Sequence, residues 1–112
     1  MKTFAPLALA LTLFAPAAAL AGTTDEVVAI RVSHADLDLS QPQGATKMLG
    51  RLERASLSAC GASGFSFREV QDEVRASACF RSSLNNAVAA LASPTVDAIY
   101  HERVQEQRLA SN

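Results

Sequence analysis

The chain has 112 residues, with 10 Lys and Arg against 11 Asp and Glu, a net charge of -1, and only 5% aromatic residues with no Trp. That balance lacks the basic footprint of a nucleic-acid binder, and the shortage of rings leaves few platforms on which bases or sugars could stack. A chain this short builds one small domain whose core gives only marginal stability unaided.

The first expected element is a leader. MKTFAPLALALTLFAPAAALAG opens on Lys2, runs through an apolar stretch from Leu7 to Phe14, and ends in small residues. Ala19, Leu20 and Ala21 satisfy the A-x-A rule, which places cleavage between Ala21 and Gly22. The apolar stretch is too short for a membrane span, which takes about 20 residues, and no later stretch supplies one. No cysteine follows the cleavage point, which disfavours a lipoprotein anchor. Residues 1–21 are therefore expected to be a signal peptide and residues 22–112 a single exported domain, periplasmic or secreted. Without Lys2 that domain carries nine basic and eleven acidic side chains.

VVAIRV, from Val27 to Val32, is β-branched enough for a short strand with Val28, Ile30 and Val32 on one face. After Ser33 the apolar parity slips, since Ala35, Leu37 and Leu39 alternate with His34, Asp36 and Asp38. A slip of one residue predicts a bulge or bend near residues 33–35. If the strand has no partner within the chain, its edge offers a contact for a homodimer.

A helix follows. Ser40 and Gln43 fit a capping box, whereas Pro42 prefers the first helical position and would make Gln41 the cap. Ala45, Met48, Leu49, Leu52, Ala55, Ala59 and Cys60 then recur at helical spacing, and Gly61 suits a left-handed stop. Lys47, Arg51 and Arg54 form a basic stripe on another side, read as a solvated face, with an anion-binding surface as the alternative.

Cys60 and Cys79 are the two cysteines of the chain. In an exported small domain an even count reads as a disulfide. A redox pair would show C-x-x-C spacing and a zinc site two close pairs, and neither spacing is present.

Ser66 and Glu69 make a further capping box, with Phe65 and Val70 as its hydrophobic staple, which alone would predict one helix from Phe67 to Ala92. Geometry opposes it. On such a helix Cys79 would stand about 20 Å beyond Ser66, and the residues from Cys60 to Ser66 span roughly that distance only when fully extended. Either residues 61–67 run back beside the second helix, or that helix starts nearer Ala76 and FSFREV is a strand. The expected start lies between Phe67 and Ala76, and the later face is Phe80, Leu84, Ala87, Val88 and Leu91. Ser93 and Pro94 end this helix and cap a short last one, with Val96, Ile99, Tyr100 and Val104 on its apolar side and a frayed EQRLASN tail. The expected fold class is mainly α, a small α+β domain: an N-terminal strand, two main helices linked by a disulfide, and a short C-terminal helix.

The stretch RVSHADLDLSQPQGATKMLGRLERASLSACG, followed by ACFRSSLNNAVAALASPTV, resembles the UrcA family of small exported bacterial proteins. The matching positions are Asp36, Leu37, Asp38, Leu39, Pro42, Gly44, Cys60, Gly61, Cys79, Ala87, Val88, Ala89, Ser93 and Pro94, spread from about Val28 to Val96. His34 stands where the family more often has Tyr. The resemblance implies export and architecture and brings no catalytic activity.

His34, Asp36 and Asp38 are the candidate metal ligands, because alternate residues of an extended chain project from one face and divalent ions accept imidazole and carboxylate. His101 is the other histidine, and nothing in the sequence brings it near. The competing reading gives Asp36 and Asp38 turn amides and the positive end of the following helix, with Leu37 and Leu39 pointing inward. The chain has no G-x-S-x-G elbow, no H-E-x-x-H and no Gly-rich phosphate loop. The expectation is a non-enzymatic protein without a cofactor, acting through an unidentified protein partner or in an envelope response, with a periplasmic metal-binding protein as the alternative.

Overall fold

The computed structural model describes residues 29–112. The leader, its cleavage point and the first two residues of the expected strand lie outside the described residues, and no strand is present among those described. Four helices make the fold: α1 Pro42–Ala59, α2 Arg68–Ala76, α3 Ala78–Leu91 and α4 Pro94–Ala110.

Helix α1 forms the centre. Pro42 takes its first turn and Gln41 is the N-cap, without a side-chain hydrogen bond, so the Ser40–Gln43 box does not form. At its other end Gly61 adopts φ +93°. The Gly61 amide donates to the Ser58 carbonyl at 3.3 Å and the Ala62 amide to Leu57 at 2.9 Å. This is a Schellman stop, with Leu57 and Ala62 both buried beneath it. Ala45, Met48, Leu49, Leu52 and Leu57 supply one side of the core, and Phe80, Leu84 and Val88 from α3 with Val96 from α4 supply the other. Burying each of the larger side chains contributes roughly 1.5–3 kcal/mol.

The second half differs from expectation in four ways. A single helix is replaced by two, because Ser77 holds an extended ψ of 154° between them. Its hydroxyl donates to the Val74 carbonyl at 2.6 Å and accepts from the Phe80 amide at 3.2 Å. One side chain thus closes α2 and opens α3. The residues of FSFREV form a turn and then the start of α2, so they are not a strand.

Nor does the Ser66–Glu69 box form. The Ser66 hydroxyl accepts instead from the Ser63 amide at 3.0 Å, and Phe65 is fully exposed, so the staple with Val70 is absent. The last helix is not short either. It runs 17 residues to Ala110, through most of the tail expected to fray. Glu, Gln, Arg, Leu and Ala are strong helix formers and continue the turn set by Ser93 and Pro94. The Ser93 cap itself is as expected, its hydroxyl accepting from the Val96 amide at 3.5 Å.

Cys60 and Cys79 are joined, with Cα atoms 6.0 Å apart. The bridge ties the end of α1 to the first turn of α3 and encloses all of α2. The break at Ser77 and the fold-back of residues 61–67 together satisfy the reach that an unbroken helix could not.

Candidate functional site

The segment leading into α1 brings the three candidate ligands into a turn. The Leu37 amide donates to the His34 carbonyl at 3.0 Å, which bends the chain where the parity slips and ends the alternate projection. Leu37 and Leu39 pack against the core, as their parity requires.

Asp36 turns toward α1. Its Oδ1 and Oδ2 accept from Arg51 Nη1 and Nη2 at 2.7 and 2.6 Å, and Nη1 also donates to the Ser33 carbonyl at 2.8 Å. The bidentate guanidinium holds the Asp36 carboxyl at a pKa of about 2. The same contact raises Arg51. Asp38 turns the other way and accepts from the Ser40 hydroxyl and amide at 2.5 and 3.0 Å, which lowers its pKa.

His34 is exposed, and His101 lies on α4 with its Nε2 3.3 Å from Asp97. Among the described residues no group of three or more His, Cys, Asp or Glu side chains is placed to hold a metal ion. The motif acts as a joint, in which one carboxylate is clamped to α1 and the other closes the turn before it.

The joint also depends on Gly44. The Asp38 carbonyl lies so close over α1 that a Cβ on Gly44 would collide with its oxygen. Of the basic stripe, Arg51 belongs to this clamp.

The feature that sequence periodicity misses is the loop before α2. Phe65 is fully exposed and Phe67 is 81% exposed, with Val70 on the adjoining turn also exposed. The backbone that carries them is well held. The Phe65 amide donates to the Ser63 hydroxyl at 3.2 Å, the Ser66 amide to the Ser63 carbonyl at 3.1 Å, and Gln71 Nε2 to the Ser66 carbonyl at 2.9 Å. Two rings are therefore displayed on a loop fixed by its own hydrogen bonds and enclosed by the disulfide. A signal was present in the sequence: two phenylalanines set among Ser and Gly between two cysteines, in a chain with few other rings.

No family model matches the chain, and no curated protein or solved structure is found to be similar to it. None of the described helices is long and apolar enough to cross a membrane.

Proposed function

We propose that this chain is a UrcA-like, exported, non-enzymatic protein that acts in the cell envelope by binding another protein through the Phe65–Phe67 loop. The exposure of both rings carries the reading. Aromatic side chains left in water are the usual anchors of protein interfaces. A loop already ordered in the free protein loses little further entropy on binding. The leader pattern and the disulfide support export, because bridges of this kind persist in oxidising compartments.

A photoreactive phenylalanine analogue placed at position 65, and separately at Leu109 as an exposed control, tests the reading in intact producing cells. The expected result is a discrete crosslinked adduct from position 65, absent from position 109 and lost with Phe67→Ser. No adduct at 65, or equal adducts from both positions, would overturn it. An adduct of twice the chain mass would mean that the partner is a second copy.

A further inference from the structure

The face between α3 and α4 contains a cleft that the hydrophobic core does not account for. It encloses about 680 Å3, within the range of roughly 300–1,000 Å3 typical of small-molecule sites. Phe80 and Leu84 from α3 and Tyr100 and Val104 from α4 give it an apolar floor. Helix α4 explains its shape. Packing against the core ends at Tyr100, yet the helix continues to Ala110. Over those residues Arg103, Val104, Gln107 and Ala110 keep one stripe turned to the cleft, a run of about 10 Å along the axis. A mostly apolar lining that continues along α4 suits an aliphatic chain.

Its charge selects the head of that chain. Arg75, Arg81 and Arg103 line the cleft from three different helices, and Glu53 is its one acidic residue. Basic side chains are thus concentrated here in a molecule whose net charge is -1. The arginines are not saturated. Arg81 Nη1 donates to the Ala76 carbonyl at 2.7 Å, Arg103 Nη1 to Glu53 at 3.1 Å, and Arg75 Nη1 stands 3.7 Å from Asp72. Each guanidinium has five N–H donors. Among the described residues those on Nη2 and Nε are left for an oxyanion, which the planar fork takes bidentately.

We infer that this cleft binds a single-chain fatty carboxylate, its head held by the arginines and its chain laid along Phe80, Leu84 and Val104. The site is separate from the phenylalanine loop and does not rest on the function proposed for it.

Tyr100 is the only tyrosine and the chain has no Trp, so its fluorescence reports on the cleft directly. The test is a titration of the purified, disulfide-bonded chain with dodecanoate below its micellar concentration, followed by Tyr100 emission and calorimetry. The expected result is saturable one-to-one binding. Arg81→Gln combined with Arg103→Gln should weaken it at least about tenfold, and dodecyltrimethylammonium should bind more weakly by a similar factor. Val104→Asp, at a half-buried position outside the core, is the second variant should the arginine pair alter the fold, and the same loss is expected. Equal binding of the cationic chain, unchanged affinity in the correctly folded variants, or no saturation by millimolar dodecanoate would overturn the inference. So would binding of an acidic amphipathic peptide by a cleft that ignores dodecanoate.

Discussion

Asp36 and Asp38 are two residues apart and do opposite jobs. Asp36 reaches across 15 positions of sequence to Arg51, while Asp38 closes a local turn through Ser40. Parity was enough to place Leu37 and Leu39 inward, because burial on alternate positions is a local pattern. The partner of Asp36 was not legible, since Arg51 read as one member of a solvated stripe and only the turn at His34 swings the carboxylate over α1. The clamp has a pH signature. The folded pKa of Asp36 is about 2 against an ordinary 3.8, so its contribution is present above the ordinary value and is lost as pH falls through the folded one. A carboxyl carbon NMR titration should find Asp36 with its midpoint near 2, moving up toward the ordinary value in Arg51→Gln. The loss of stability between about pH 4 and pH 2 should be shallower in that variant. Because both side chains are solvent-accessible, the effect should also shrink in high salt.

At the scale of elements, the ends of helices were the best-marked features. Pro42, Gly61, Ser93 and Pro94 each act on the backbone of their own turn, so their positions could be read without knowing the fold. Ser77 is different. The reach of the disulfide demanded a break, but not which residue would make it, and a serine followed by Ala78 and Cys79 carries no capping box. Phe65 and Val70 misled for the converse reason. Their spacing fits a staple, yet the hydrogen bond that the Ser63 hydroxyl accepts from the Phe65 amide and the one that Gln71 donates to the Ser66 carbonyl hold the loop with the ring outward. Helix α1 offers a clean test of long-range contact against local propensity, because it contains two glycines. Alanine is favoured over glycine in a helix by about 1 kcal/mol. At Gly50 an added Cβ meets nothing within 4 Å, so Gly50→Ala should stabilise by up to that amount. At Gly44 it would collide with the Asp38 carbonyl, and Gly44→Ala should destabilise by about 1–3 kcal/mol despite the same propensity gain. Denaturant unfolding of the two variants checks this; shifts of the same sign would mean that the approach of the joint to α1 is looser than described.

Across the whole molecule, the disulfide separates a self-sufficient part from a dependent one. Helices α1, α3 and α4 share the buried core, whereas α2 has no buried residue and reaches that core only through the half-buried Val74. A free helix of nine residues is unstable in water, so α2 must be held by its attachments. Those are the Val74 contact with the core, the Arg81 hydrogen bond to the Ala76 carbonyl, the Ser77 junction, and the bridge between Cys60 and Cys79, whose closure of a loop of about 20 residues contributes roughly 3 kcal/mol in the chain-entropy model. Reduction should therefore act first on the enclosed segment. Hydrogen exchange before and after reduction should show the amides of α2 losing protection while buried amides of α1, α3 and α4 keep much of theirs. In the same state the position 65 crosslink should fall away, because the phenylalanine loop is ordered partly through Gln71 of α2. A uniform loss of protection across all four helices would instead mean that the bridge stabilises the core as one unit, and an α2 that stays protected would mean that its own contacts suffice.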